Sequence, residues 1–153
     1  MERAFLPEKK FMLRALALAE EAAAQGEVPV GAVVVRNGAV IGEGHNRRET
    51  DRSALAHAEL LAIRSACQAV GDWRLSDCEL YVTLEPCPMC TGAIINAHLP
   101  IIVYGVDDER AGCCGTAADL FTLPAAQRPL VYRGFFEAEC KKLLQGFFQS
   151  LRT

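Results

Sequence analysis

The sequence predicts an α/β fold, a three-layer α/β/α arrangement with a central mixed five-stranded sheet. Apolar residues switch repeatedly between helical spacing and short continuous runs typical of buried strands. Segments of these two kinds alternate along the chain, an order that favours helices on both faces of one sheet. The chain has 153 residues, of which 51% are hydrophobic and 23% charged. Residues 1–153 are therefore expected to form a single domain with its own core.

The chain is predicted to begin with a helix followed by a hairpin. Apolar residues recur at helical spacing over residues 7–25, and Gly26 provides the stop. Residues 28–35 and 39–42 are apolar runs joined by Asn37-Gly38, a dipeptide that strongly indicates a two-residue hairpin. The sequence therefore predicts two adjacent antiparallel strands.

A second helix and a crossover unit are predicted next. The polar residues 46–55 form a loop, and residues 56–70 place leucine and isoleucine side chains on one helical face. The strand 79–84, a helix over 87–98 and the buried strand 101–106 follow in order. A strand, helix and strand in this order are expected to pair their strands in parallel through a right-handed crossover.

The last third of the chain contains less regular structure. Residues 107–129 look mostly irregular, with a short helix around 117–121, and residues 130–132 are predicted as a short strand. A final helix is expected over residues 136–151, where apolar side chains share one stripe. These elements complete the predicted sheet and its two covering layers.

Charge, hydropathy and cysteine content indicate the cellular compartment and the partners of the protein. The formal net charge of −3 gives no long-range attraction to nucleic acid, although it leaves room for a local basic patch. No apolar stretch reaches the ~18 residues that a membrane span needs, and the first residues lack the apolar core of a signal peptide. Seven cysteines, an odd number, fit thiols or metal ligands in a reducing compartment better than disulfides. We therefore expect a cytoplasmic protein without membrane contact.

Two segments carry residues suited to metal chemistry, His57-Ala58-Glu59 and Pro86-Cys87-Pro88-Met89-Cys90. One imidazole and two thiolates make three protein ligands, the number found in catalytic zinc sites that keep a fourth position for water. If Pro88 takes the first helical position, Cys87 caps the helix and Cys90 lies one turn on. Both sulfurs then lie near the positive end of the helix dipole, which favours thiolates. The two segments together predict a catalytic Zn²⁺ site.

Glu59 is the candidate proton carrier. It follows His57 by two residues, and the pair is expected in the first helical turn, where both side chains can point inward. A carboxylate beside a zinc-bound water can take its proton and pass it to the substrate, because zinc lowers the pKa of that water towards ~7. Taken singly, the Cys-x-x-Cys pair also fits a redox motif or two buried thiols, and His57 fits a core histidine.

Combined, His-x-Glu followed by Pro-Cys-x-x-Cys is the signature of the zinc nucleobase deaminases. The sequence resembles the bacterial tRNA-specific adenosine deaminases, the TadA family, within the cytidine-deaminase-like superfamily. The resemblance covers nearly the whole chain and extends beyond the metal motifs. The segments that carry it are Glu27 to Val33, Gly42 to Asn46, Leu80 to Ile94, Gly105 to Asp108, Gly115-Thr116 and Glu139-Cys140.

The resemblance implies a role for each matched residue. His57, Cys87 and Cys90 would hold Zn²⁺, and Glu59 would be the catalytic proton shuttle. The residues that would contact the substrate are Asn46 at the target nucleoside, Glu27, Val28 and Pro29 in the pocket, and Asp107 and Asp108 beside the RNA. From the residues alone, Asn46 also fits a turn after a strand, Val28 and Pro29 fit a plain strand start, and Asp107-Asp108 fit a solvated loop pair.

The implied reaction is hydrolytic deamination of adenosine to inosine at the wobble position of a tRNA anticodon, by zinc-bound hydroxide. The implied partners are a tRNA anticodon stem-loop and a second copy of the chain in a homodimer. Backbone phosphates of the RNA would be held by basic side chains on loops and the last helix, for which the candidates are Arg47, Arg48, Arg52, Arg110, Lys141, Lys142 and Arg152.

Two other functions stay open from the sequence. A free nucleobase or nucleoside deaminase, of guanine or cytosine type, would use the same zinc chemistry, and the acidic net charge fits it. A non-catalytic zinc-stabilised binding module would need a fourth protein ligand and would not need Glu59. Cys113 and Cys114 are expected to be small residues of a distant loop and not to supply that ligand.

Overall fold

The computed structural model describes residues 4–152. Its four α-helices and five β-strands follow the predicted order. The helices are α1 (Lys9–Ala24), α2 (Ala58–Val70), α3 (Pro88–Asn96) and α4 (Glu137–Ser150). The strands are β1 (Gly31–Arg36), β2 (Ala39–His45), β3 (Cys78–Leu84), β4 (Ile101–Val106) and β5 (Leu130–Tyr132).

The five strands form one mixed sheet in the order β2-β1-β3-β4-β5. Strand β1 is antiparallel to both of its neighbours, whereas β3, β4 and β5 are mutually parallel. At the hairpin between β1 and β2, Asn37 and Gly38 have φ angles of 51° and 76°, the left-handed conformation that an Asn-Gly turn adopts readily. The predicted five-stranded mixed sheet is therefore confirmed.

Both faces of the sheet are covered by helices, because alternate residues of each central strand point to opposite sides. On one face, residues such as Val34 and Leu80 pack with buried side chains of α2 and α3. On the other face, residues such as Val33 and Tyr81 pack with α1 and α4. The central strands are apolar on both sides, and the three-layer α/β/α arrangement follows.

Some predicted boundaries differ from the structure. The first strand begins at Gly31 and not at residue 28, because the Val30 amide bonds back to the Val28 carbonyl in a tight turn. The short helix expected around 117–121 is a 3₁₀ turn at Leu120–Thr122, whose start is capped by the Asp119 carboxylate. Neither a backbone turn at Val28 nor a side-chain cap at Asp119 is visible as hydrophobic periodicity, so the sequence pattern misplaced both elements.

The connections after β2, β3 and β4 all emerge at the same edge of the sheet. Helix α2 begins at this edge and packs closely against β2, because Gly44 has no side chain where a Cβ would overlap the Ala58 carbonyl oxygen. The N-terminus of α3 and the segment that follows Val106 lie at the same edge. Within residues 4–152, none of the helices combines the length and apolar character that crossing a bilayer requires.

Candidate active site

The N-termini of α2 and α3 bring one histidine and two cysteines together. His57 is the N-cap of α2, Cys87 is the N-cap of α3, and Cys90 lies in the first turn of α3. Pro88 takes the first helical position, as the sequence predicted. The Nδ1 atom of His57 lies 3.6 Å from the sulfur of Cys87 and 3.6 Å from the sulfur of Cys90. The three potential ligand atoms all lie within 4.8 Å of one another.

This cluster matches the geometry of a tetrahedral zinc ligand set. Zinc–nitrogen bonds of ~2.0–2.1 Å and zinc–sulfur bonds of ~2.3 Å place nitrogen and sulfur roughly 3.5–3.6 Å apart. The observed separations agree with that value. Among residues 4–152, no fourth histidine, cysteine or carboxylate joins the group. Three ligands of this type fit a catalytic zinc site and do not fit the closed, four-ligand site of a structural module.

The electrostatics of the cluster favour a thiolate at Cys87. Hydrogen bonding with the Cys90 thiol and with His57 lowers the pKa of Cys87 to about 4, against the opposing effect of burial. The hydrogen bond to Cys87 also raises the pKa of His57. The pKa of Cys90 is raised, first by its hydrogen bond to Cys87 and then by burial, so these two thiols share a proton.

Glu59 lies in the first turn of α2, directly beside the cluster. Its side chain is 4% exposed, and Cys90 hydrogen-bonds to it. Burial, reinforced by the negative charge of Cys87, raises the pKa of the Glu59 carboxyl to about 7. A carboxyl group that titrates near neutral pH can both accept and donate a proton during one reaction cycle.

A cavity of about 200 Å³ opens above these residues. His57, Glu59 and Cys87 are among the residues that line it. The remaining lining residues come from the segment before β1, the loop after β2 and the segments after β3 and β4, and they are Val28, Val30, Asn46, Arg48, Ala58, Leu84, Glu85, Asp108 and Ala111. A partly polar cavity beside a candidate metal cluster and a buried carboxyl has the character of an active site.

Comparison with known proteins identifies the family. A family model described as MafB19-like deaminase matches residues 7–152. The tRNA-specific adenosine deaminase of Bacillus subtilis is 44% identical over 146 residues, which is 95% of this chain and 91% of that protein. The chain belongs to this deaminase family. The family resemblance that the metal motifs and the sheet segments carry is therefore confirmed.

Solved structures agree with this membership. A structure from a study of A-to-I editing by tRNA:A34 deaminases at the wobble position matches with a TM-score of 0.86 and 40% identity, over 90% of this chain and 100% of that chain. The guanine deaminase of Bacillus subtilis matches with a TM-score of 0.64 and 36% identity, over 96% and 94% of the two chains. The cytidine-deaminase-like fold expected from the sequence is therefore confirmed.

Four of the predicted substrate residues of this deaminase border the cavity, namely Val28, Asn46, Arg48 and Asp108. Asn46 donates from Nδ2 to the Val28 carbonyl and accepts from the Arg48 amide at its Oδ1. Both bonds tie the asparagine to the cavity wall. Because an amide has two donors and two acceptor lone pairs, Asn46 keeps capacity for a bound ligand.

The other four predicted substrate residues do not line the cavity. Glu27 and Pro29 are buried behind it, and Glu27 accepts hydrogen bonds from the amides of Glu49 and Thr50. Arg47 forms an ion pair with Asp51 at 3.0 Å. Asp107 accepts a hydrogen bond from the Tyr104 hydroxyl and faces the neighbouring groove towards α4.

Glu85 and Cys113 lie closer to the site than their sequence positions predicted. The loop that carries Cys113 is not distant from the metal cluster, because the Cys113 amide donates to the Pro86 carbonyl at 2.9 Å. Cys113 and Cys114 are both buried free thiols, and neither belongs to the ligand group. Glu85 is buried beside the cavity. The sequence signal that could have identified Glu85 is a charged residue directly after an apolar strand, because a buried charge needs hydrogen-bond partners.

Proposed function

We propose that this deaminase converts adenosine to inosine at the wobble position of a tRNA anticodon, with Zn²⁺ as its cofactor. The observation that carries the proposal is the cluster of His57, Cys87 and Cys90 beside the buried Glu59, at a cavity of about 200 Å³. The identity to tRNA-specific adenosine deaminases over nearly the whole chain supports tRNA as the substrate.

His57, Cys87 and Cys90 would hold the zinc ion. When bound, zinc supplies Lewis acidity, which makes water a competent nucleophile at neutral pH. Glu59 takes a proton from the attacking water and delivers it to N1 of the adenine. Glu59 then takes the remaining proton from the oxygen now attached to C6 and passes it to the amino group, which leaves as ammonia while the C6 carbonyl forms. Adenosine and water thus become inosine and ammonia. One buried carboxyl group beside the cluster serves all of these transfers, because it accepts a proton in one step and donates it in the next.

The cavity walls would orient the target base. Deep inside a duplex, C6 of adenine is out of reach, so the base must come from a loop or be turned out of the stack. An anticodon loop presents such a base. The unused donor and acceptor of Asn46 are available to the nucleoside, and Val28 contributes an apolar contact. Asp108 borders both the cavity and the groove beside it, so it is suited to contact the neighbouring nucleotides.

One assay separates this function from a free-base activity, which the similarity to a guanine deaminase keeps as the second candidate. Purified protein is incubated separately with an anticodon stem-loop RNA, adenosine, cytidine, cytosine and guanine, and ammonia release is measured. We expect rapid release from the stem-loop alone. Efficient turnover of guanine or cytosine, with none on the stem-loop, would establish the second candidate instead. No ammonia from any substrate by zinc-loaded protein would contradict both enzymatic functions.

Arg48 is expected to contribute to the salt dependence of RNA binding. Of residues 4–152, it is the one arginine or lysine that lines the cavity, so it is the candidate partner for a phosphate of the bound loop. Each phosphate contact to a single strand contributes about −0.7 to the slope of log affinity against log salt concentration. Arg48→Ala should therefore reduce the slope by about 0.7 and raise KM for the stem-loop. A smaller change is expected for Arg47→Ala, because Asp51 already pairs with that guanidinium.

The matched control for these variants is Arg36→Ala. Arg36 ends β1 at the opposite edge of the sheet and pairs with Asp77. The Arg36→Ala substitution should leave the salt slope and KM unchanged. Arg36→Ala, Arg47→Ala and Arg48→Ala should all keep the zinc content of the parent. An Arg48 variant with the parent slope would remove Arg48 from the RNA-binding surface.

We also propose that two copies pair in the cytoplasm. The support for pairing is the family resemblance and the partly exposed apolar side chains Ala93 and Ile95 on α3, which a second copy would cover. Light scattering at micromolar concentration is expected to give twice the chain mass of 16.6 kDa. A stable species of 16.6 kDa would contradict the dimer.

The support for a cytoplasmic location is the state of the cysteines. All seven are free, which fits a reducing compartment.

A further inference from the structure

A buried carboxylate holds the loop that forms one wall of the cavity. Glu85 follows β3 and is 2% exposed. Its Oε1 accepts the amide of Asp108 at 3.0 Å, and its Oε2 accepts the amides of Cys114 and Thr116 at 3.0 and 3.2 Å. All three donors are backbone groups of one segment, the 108–116 loop. Hydrogen bonds to a carboxylate are stronger than neutral ones, so this arrangement fixes the loop at both of its ends.

The 108–116 loop is shaped around this carboxylate. Gly112 lies against Glu85 so closely that a Cβ on it would overlap the carboxylate. The Gly112 amide donates to the Asp108 carbonyl at 2.9 Å, and the Cys113 amide donates to the Pro86 carbonyl at 2.9 Å. The loop therefore turns around the Glu85 side chain and returns to the strand end that carries it.

The same loop supplies two of the residues that face the cavity. Asp108 and Ala111 line it together with Asn46 and Arg48 of the loop after β2. Asp108 is itself held in place, because its Oδ1 accepts the amides of Arg110 and Ala111. The position of this wall relative to Glu59 and the metal cluster thus depends on where Glu85 anchors the loop.

We propose that Glu85 is a positioning residue for substrate binding, acting through the 108–116 loop and not on the reacting atoms. The inference rests on the proposed function, since it assumes that the substrate occupies this cavity. All the hydrogen bonds that the structure gives to the Glu85 carboxylate come from the loop, which distinguishes it from Glu59. Its loss should loosen the wall that grips the nucleotide while leaving the metal ligands and the proton shuttle in place.

Glu85→Gln tests this role at nearly constant volume. The neutral amide is a weaker acceptor, and its NH₂ group would face at least one backbone N–H. We expect KM for the stem-loop to rise roughly tenfold to a hundredfold, with kcat changed less than threefold and zinc content unchanged. Hydrogen exchange of the 108–116 loop, measured by mass spectrometry on the zinc-loaded enzyme, should become faster. The matched control is Glu79→Gln near the start of β3, at the opposite edge of the sheet, which should alter neither KM nor the exchange of the loop.

A second variant covers the case in which Glu85→Gln does not fold. Gly112→Ala keeps the carboxylate but forces the loop away from it, so it should also raise KM and speed exchange in the loop. Unchanged exchange and unchanged KM in a folded variant would overturn the proposal, as would an equal loss of kcat or a loss of zinc. The parent enzyme's activity on the stem-loop tests the proposed function separately. Hydrogen exchange in the variants reports on the anchor even if the substrate is different.

Discussion

Glu59→Gln should lower kcat on the stem-loop by about 10⁴-fold or more, because general acid–base catalysis by one group contributes up to ~10⁴ and this group serves several transfers. Glutamine keeps the volume and the packing of the buried side chain but cannot carry a proton. Zinc content should stay at one per chain, and KM should change little, because binding does not require the proton transfer. Steady-state ammonia release gives kcat and KM, and elemental analysis gives the zinc content.

The control for this variant is a second buried carboxylate of the same cavity. Glu85→Gln also removes a negative charge beside the metal cluster, yet it should act on KM and leave kcat nearly unchanged. A Glu59→Gln enzyme that turned over within tenfold of the parent rate would show that another group carries the protons. A Glu59→Gln protein that lost its zinc would assign Glu59 to metal binding instead.

Cys87→Ser should remove both zinc and deamination, with activity falling below detection. A hydroxyl is a poor ligand for zinc compared with a thiolate, and only three protein ligands are present to hold the ion. Metal binding also stabilises the folded chain, so the Tm of the variant should lie below that of the parent. Elemental analysis and thermal unfolding, with and without a chelator, measure these effects. The chelator should lower the Tm of the parent and leave that of Cys87→Ser unchanged.

Cys67→Ser is the matched control for this loss. Cys67 lies near the end of α2, is partly exposed and stands outside the ligand group. Its substitution should keep one zinc per chain, full activity and the response of Tm to the chelator. Active Cys87→Ser protein without zinc would contradict the proposed cofactor, whereas equal zinc loss in both variants would show that the effect is not specific to the cluster.

Local chemistry made part of the site predictable. Pro88 has no amide hydrogen and a fixed φ, so it starts a helix and defines where Cys87 and Cys90 lie on it. His57 likewise stands where an apolar helical pattern begins, which places it and Glu59 at the start of α2. Helix starts at the same sheet edge come together in an α/β fold, so these two local signals favoured a cluster of the three side chains. The zinc role itself came from the joint motif and the family resemblance that it carries.

Side chains whose role depends on distant loops were not predictable in this way. Glu27 was expected in the pocket, yet it is buried behind it and holds residues 22 and 23 positions further along the chain. Glu85 holds donors between 23 and 31 positions away. No short-range pattern records which amides will meet a carboxylate across such separations.

The sequence by itself determined the elements, the two covered faces of the sheet and which three residues are the candidates for metal binding. These depend on periodicity, turn dipeptides and helix starts, which act over a few residues. The tertiary structure alone decided that Arg48 borders the cavity while Arg47 pairs with Asp51, and that the Cys113 loop lies against Pro86. The physical reason is that a buried carboxylate or a loop amide must find its partner in space, and that partner is fixed only when the helices and strands have packed.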